Sequence, residues 1–181
     1  MTTYISILRG INVSGHRMIK MEALKKICTD LNFTNVQTYI QSGNIIFQSK
    51  MTDSKKISET ITKNIAKVFD FDVPVITLTQ TELETVINSN PFLNDKSKNP
   101  AFLHVTFLSD KPVKQNIEQL RHVDLKNDNF EIVDKAIYLY CPDSYSKSKL
   151  TNSLLETKLK VTATTRNWKT TNELFKMTTK L

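Results

Sequence analysis

The sequence predicts an α+β fold of two successive β-α-β-β-α-β units with an extra helix at the C-terminus. Three observations carry that reading. Short β-branched and aromatic runs alternate with stretches of helical apolar spacing, and their order over the first 78 residues recurs over residues 101–181. A Pro-, Asn- and Lys-rich stretch, NSNPFLNDKSKNP, separates the two sets. The expected division is a first subdomain over 1–78, a helix and linker over 79–100, and a second subdomain with the closing helix over 101–181.

Residues 3–9, TYISILR, read as a strand. After a glycine-bearing loop, Met21, Leu24, Ile27, Cys28 and Leu31 form a helical stripe, and Asn32 takes the left-handed position that ends the helix, with Phe33 as its apolar partner. VQTYIQ and NIIFQS flank Ser42-Gly43, a two-residue hairpin signal. Ile57, Ile61, Ile65 and Val68 mark a helix over 54–68, and VPVITL is a strand with Pro74 near its start. A helix over 80–88 leads into the linker. In the second subdomain FLHVTFL is a strand, 112–121 a helix, and FEIV with AIYLYC a hairpin across Asp134-Lys135. Residues 146–159 read as one helix bearing Leu150, Leu154, Leu155 and Leu159, with Ser146 as its N-cap, followed by the short strand VTATT. The last helix, 167–177, buries some of Trp168, Leu174 and Phe175. This element order is the ferredoxin-like arrangement. The two halves share that order and little residue-level similarity.

The bulk properties set the class. A chain of 181 residues can bury roughly 70% of its unfolded surface without a staple. Cys28 and Cys141 have no second Cys or His at metal-ligand spacing, so they read as buried thiols in a reducing compartment. The opening MTTYISILRG lacks a signal peptide's basic start and apolar run, and no stretch approaches the ~20 apolar residues of a membrane span. The expectation is a cytoplasmic protein with no membrane partner, no metal and no cofactor. Of the net charge of +7, the last 35 residues supply +6, with eight basic and two acidic side chains. Such a local excess suits an anionic partner or serves solubility.

The chain has three glycines, Gly10, Gly15 and Gly43, where average usage would give about 13. In a β-α-β-β-α-β unit the first two strands run parallel, so the end of the first strand and the following hairpin lie at one end of the sheet. RGINVSGHR and QSGN are therefore expected to be neighbours, with all three glycines at one edge. The same rule brings the SKSKL helix and the TRNWK exit to one end of the second half, crowding Lys147, Lys149, Arg166 and Lys169 beside Trp168.

The long segment LRGINVSGHRMIKMEALKKICTDLNFTNVQTYIQSGNIIF, the later NPF, and SKLTNSLLETKLKVTATTRNW resemble an uncharacterised bacterial family, a domain of unknown function. Its members share RGINVGG, YIQSGN and TxRNW motifs. The resemblance implies two ferredoxin-like subdomains over nearly the whole chain and implies no particular activity. Ser14 stands where the family usually has glycine, and Asn32 replaces its usual helix-capping glycine.

Several constellations invite a chemical reading. Gly10-x4-Gly15 lies between a strand and a helix like a phosphate loop, but His16-Arg17 occupies the Lys-Ser/Thr positions, which excludes a nucleotidase. What remains is an anion cradle of Arg9, Gly10, Asn12, Gly15, Arg17 and the loop amides, or a plain turn in which Asn12 bonds its own backbone. Gln41, Ser42, Gly43 and Asn44 offer donors and acceptors, or simply a tight hairpin. Ser146-x-x-Lys149 lacks the partner motifs of a serine acyl enzyme. His16, His104 and His122 share no stripe with either cysteine. An RNA-recognition signature is absent, and Tyr138 and Tyr140 share a strand face that packing explains as well as base stacking.

The expected function is binding of an anionic ligand, a nucleotide, phosphometabolite or nucleic acid, by the glycine loop and hairpin together with Lys149, Arg166, Asn167 and Trp168. One alternative is a metal-free enzyme with its site between the halves. The other is a ligand-free assembly module in which Arg166, Asn167 and Trp168 fix the last helix.

Overall fold

A computed structural model describes residues 1–181. Residues 1–85 together with 173–181 form one compact unit, and residues 86–172 a second. No helix is long and apolar enough to cross a membrane.

The first unit contains β1 (Thr2–Leu8), α1 (Met21–Asp30), β2 (Thr34–Tyr39), β3 (Asn44–Ser49), α2 (Ser54–Phe69) and β4 (Val75–Thr79). Its sheet has the order β2-β3-β1-β4, and every neighbouring pair is antiparallel. This is the ferredoxin-like order. Leu24, Ile27 and Cys28 of α1 and Ile57, Ile61 and Ile65 of α2 bury their stripes against Tyr4, Leu8, Ile45 and Phe47. Val68 shares the α2 stripe yet is 59% exposed in the last turn. Asn32 ends α1 at φ 62°, the Phe33 amide donates back to the Cys28 carbonyl (3.1 Å), and the Phe33 ring stacks on Phe47 at 4.4 Å. Asp53 starts α2 by accepting from the Lys55 and Lys56 amides. The hairpin differs from the two-residue reading: Tyr39 pairs with Asn44, leaving a four-residue loop, 40–43, with Ile40 and Gly43 both left-handed.

After α3 (Gln80–Asn88), the second unit repeats the plan with β5 (Leu103–Leu108), α4 (Lys114–Arg121), β6 (Asn129–Val133), β7 (Ala136–Tyr140), α5 (Asn152–Leu159) and β8 (Ala163–Asn167), and α6 (Trp168–Thr178) follows. The sheet order is β6-β7-β5-β8, again antiparallel throughout. Leu139, Cys141, Leu155 and Leu159 belong to its core. The expected single helix over 146–159 is instead a 3-10 turn, Tyr145–Lys147, an irregular link and then α5. Side chains compete with the helix here. Ser144 accepts from the Ser146 amide, Ser148 accepts from the Leu150 amide, and only Thr151 caps the α-helix proper by accepting from Leu154. Ser146 is therefore not the N-cap, and Leu150 is buried from the link rather than from the helix.

A polar device marks corresponding places in the two units. In the first, the Ser6 and Thr77 hydroxyls of β1 and β4 lie 2.8 Å apart, and Ser58 of α2 donates to Thr77. In the second, Thr106 and Thr165 of β5 and β8 lie 2.7 Å apart, and Thr165 donates to Asn152 of α5. The strand ends match too: the Leu8 amide donates to Gly43 and the Leu108 amide to Lys135. Against this shared frame the connections differ. The β1–α1 link runs over residues 9–20 and the β5–α4 link over 109–113, while the hairpin loops are 40–43 and 134–135.

Candidate functional site

The long 9–20 connection is built on left-handed backbone. Gly10, Asn12, Ser14, Gly15 and Arg17 all have φ between 48° and 77°. At the tip, the His16 amide donates to Val13 (2.9 Å) around Ser14-Gly15, both left-handed as a type I′ turn requires. Below it the Asn12 amide donates to Arg17 (3.2 Å). Asn12 then closes the base: its Nδ2 donates to the carbonyls of Ile19 (2.9 Å) and Gln41 (2.8 Å), and its Oδ1 accepts from the Ile19 amide (2.8 Å). Ile11 and Ile19 are buried on either side of this clasp. The loop is thus a fixed structure rather than a tether.

The same bonds bring the hairpin alongside, as the strand order requires. Leu8 donates to Gly43, and Gly43 passes so close to β1 that an added Cβ would lie 2.6 Å from Ile11 Cδ1 and 2.9 Å from Leu8 Cβ. Asn44 is fully buried and holds the loop by donating to Tyr39 O (2.9 Å) and Ser42 Oγ (3.3 Å). Gln41 supplies its carbonyl to Asn12 and leaves its side chain exposed. Arg9, Gly10, Asn12, Gly15, Arg17, Gln41, Ser42, Gly43 and Asn44 therefore lie on two adjoining loops of the first unit.

The region is basic. No Asp or Glu occurs in residues 1–21 or 31–52, whereas Arg9, His16, Arg17 and Lys20 lie on the connection. The Arg17 guanidinium folds over Gly10, with Nη1 3.6 Å from where a Cβ would stand. Arg17 makes no salt bridge, and the Gly10, Ser14 and Gly15 amides donate to no protein acceptor. What the arrangement offers is amide donors on a connection that carries Arg17 and Lys20 and no acidic residue of its own.

The remaining candidates sit in the second unit. Lys149 donates to the Asp124 carbonyl (2.9 Å), 3.9 Å from that residue's carboxylate. With Lys126 and Lys147 it lines a cavity of about 310 Å³ that also carries Asp128 and Asp143. Of the four cations expected to crowd together, Lys147 and Lys149 line this cavity and Arg166 and Lys169 do not. Arg166 is buried on β8, where its Nη1 donates to Thr164 Oγ1 (3.2 Å) and Thr165 O (2.9 Å), and burial pulls its pKa down to about 10, partly offset by Tyr145. Asn167 caps α6 by accepting from the Thr170 amide (2.7 Å). Trp168, half-buried, opens that helix. Tyr138 is buried and donates to the Val86 carbonyl (2.6 Å), which leaves no base-stacking role for its ring.

One titration follows from this unit. His104 stacks on Tyr145 at 4.7 Å, and burial, opposed by a bond to the Phe102 carbonyl, lowers its pKa below 6.5. The unfolded chain then takes the proton first, so stability present above pH 6.5 is lost as pH falls through that value toward the folded pKa. Urea unfolding from pH 7.5 to 5.5 is expected to show this decline, and His104→Gln to flatten it. An unchanged slope in the variant would contradict the assignment.

With the geometry in place, comparison with known proteins identifies the relatives. A family described as proteins of unknown function, DUF1697, matches residues 1–138. The chain belongs to the DUF1697 family. Among solved structures, that of a conserved bacterial protein, SP0830 from Streptococcus pneumoniae, is similar to this DUF1697 chain at 26% identity, with 98% of each chain covered and a TM-score of 0.79. No match is found among the curated proteins. The family match includes both loops of the candidate site and stops in β7, short of Lys149 and Arg166.

Proposed function

We propose that this DUF1697 chain is a cytoplasmic protein that binds a small phosphate-bearing anion on the 9–20 connection and the 40–43 hairpin loop. Arg9 and Arg17 supply charge, the Gly10, Ser14 and Gly15 amides supply donors, and Asn12 and Asn44 hold the two loops in place. The observation that carries the reading is the contrast between the two units. Five residues join strand to helix in the second, whereas the first spends twelve on a left-handed, carboxylate-free loop clasped to its hairpin. Loops longer than the fold needs, held rigid, are common carriers of binding function. Rigid amide donors and an arginine suit a phosphate group.

Lys149, Arg166, Asn167 and Trp168 take other roles in this reading: Lys149 ties down a loop, Arg166 bonds within β8, and Asn167 and Trp168 begin α6. No hydrogen bond pairs the His16 ring with a hydroxyl on either loop, and the proposal is binding without an assigned reaction.

Calorimetric titration with inorganic pyrophosphate at low salt tests it. Wild-type binding is expected, weakened about 10- to 100-fold by Arg17→Gln, the loss of one or two charge-assisted bonds. Equal affinity of the variant, or no binding by either protein, would overturn the proposal. Single-stranded oligonucleotides at several salt concentrations would reveal a nucleic-acid ligand through a steep salt dependence.

A further inference from the structure

Ile40 has no local reason to be isoleucine. It opens the 40–43 loop with φ 51°, a backbone that disfavours β-branched side chains and that Asn or Gly adopts at little cost. Core packing does not account for it either, because its side chain is 47% exposed. Two further large apolar side chains on the 9–20 connection are also exposed, Val13 at 57% and Met18 at 59%.

All three are chain neighbours of one hydrogen-bonded clasp. Val13 follows Asn12 in the chain, Met18 precedes Ile19, and Ile40 precedes Gln41. The Asn12 side chain bonds both Ile19 and Gln41. Each exposed side chain is therefore one residue from a group held in a single clasp, about 3.8 Å of chain away. Cations stand beside them: Arg17 lies between Val13 and Met18, and Lys20 follows, with no acidic residue in either loop. An apolar rim beside a carboxylate-free cationic loop complements a ligand with an anionic head and an apolar body.

We infer that the ligand of this site is amphiphilic, a phosphate carried on an aliphatic body that lies against Val13, Met18 and Ile40. The inference rests on the anion-binding reading and narrows it. The rim residues Val13, Met18 and Ile40 are aliphatic or thioether, a surface that gains most by covering an alkyl body.

A series of monoalkyl phosphates, methyl, butyl and hexyl, titrated calorimetrically below their aggregation concentrations, tests it. Wild-type affinity is expected to rise about two- to fourfold per added methylene, the upper figure being that for full burial. Ile40→Asn, Val13→Thr and Met18→Gln are each expected to shrink that rise, and Ile40→Asn, which suits the left-handed backbone, to melt no lower than wild type. Wild-type affinity that is flat across the series while methyl phosphate binds would overturn this inference and leave the anion reading standing. Binding of none of the three would overturn the anion reading and the inference with it. A clearly lower melting temperature for Ile40→Asn would show that packing accounts for Ile40, and would also overturn the inference.

Discussion

Replacing Gly43 by alanine is expected to lower the melting temperature by about 6–12 °C, the consequence of roughly 3 kcal/mol in a chain of this size. Two costs combine. The residue sits at φ 82°, where an L side chain loses about 1–2 kcal/mol. Its Cβ would also enter space held by Ile11 Cδ1 at 2.6 Å and by Leu8 Cβ at 2.9 Å. Ile11 Cδ1 can swing aside, but Leu8 Cβ is fixed to β1, so the overlap is relieved only by moving the hairpin off the strand, at about 1–3 kcal/mol. Gly15→Ala is the control. It shares the positive φ, at 77°, but has nothing within 4 Å of the added Cβ, so only the backbone cost of about 1 kcal/mol applies. Thermal denaturation of the two variants separates the effects, and equal melting temperatures would contradict the close approach at Gly43.

Asn12→Ala is the second large effect. Its side chain makes three hydrogen bonds of 2.8–2.9 Å, and its backbone is left-handed at φ 54°. Losing the bonds costs about 1 kcal/mol each, and placing alanine in that conformation adds about 1, for a total near 2–4 kcal/mol. The loss is local in origin, because the clasp joins the loop to itself and to Gln41. Hydrogen exchange is the appropriate readout: the Ile19 amide, whose acceptor is Asn12 Oδ1, is expected to lose protection along with the rest of the 9–20 connection. Retained protection at Ile19 would show that the clasp is dispensable. Pyrophosphate affinity is expected to fall in the same variant, since the donors are then no longer fixed before the ligand arrives.

Much of this architecture is legible in the sequence, for reasons that can be located. Apolar stripes such as Leu24-Ile27-Cys28 and Ile57-Ile61-Ile65 identify the helices because those residues do face the sheet. Element order alone places RGINVSGHR beside QSGN, because antiparallel strand order fixes which ends meet. What is hidden depends on side chains bonding outside regular structure. Ser144, Ser148 and Thr151 each offer a cap, and nothing local says which wins, so the start of α5 is misplaced from sequence. The Asn12 clasp is half visible: an asparagine bonding its own loop is a common device, but its bond to Gln41, 29 residues away, is not encoded in any local pattern. The likeness of the two units at Ser6-Thr77-Ser58 and Thr106-Thr165-Asn152 is invisible to residue matching because the groups differ while the polar device is kept. The exposure of Val13, Met18 and Ile40 is masked too, since an isolated apolar residue in a loop reads equally well as buried.

The proposal places a phosphate-bearing anion on the 9–20 and 40–43 loops. Amide chemical-shift mapping during a pyrophosphate titration tests it most directly. Saturable shifts are expected at Gly10, Ser14, Gly15 and Arg17 and at Gln41–Gly43, with the Arg17→Gln variant displaced to higher ligand concentration. Shifts confined to residues 122–128 and 141–149, around the Lys126-Lys147-Lys149 cavity, or no saturable shift at all, would contradict it.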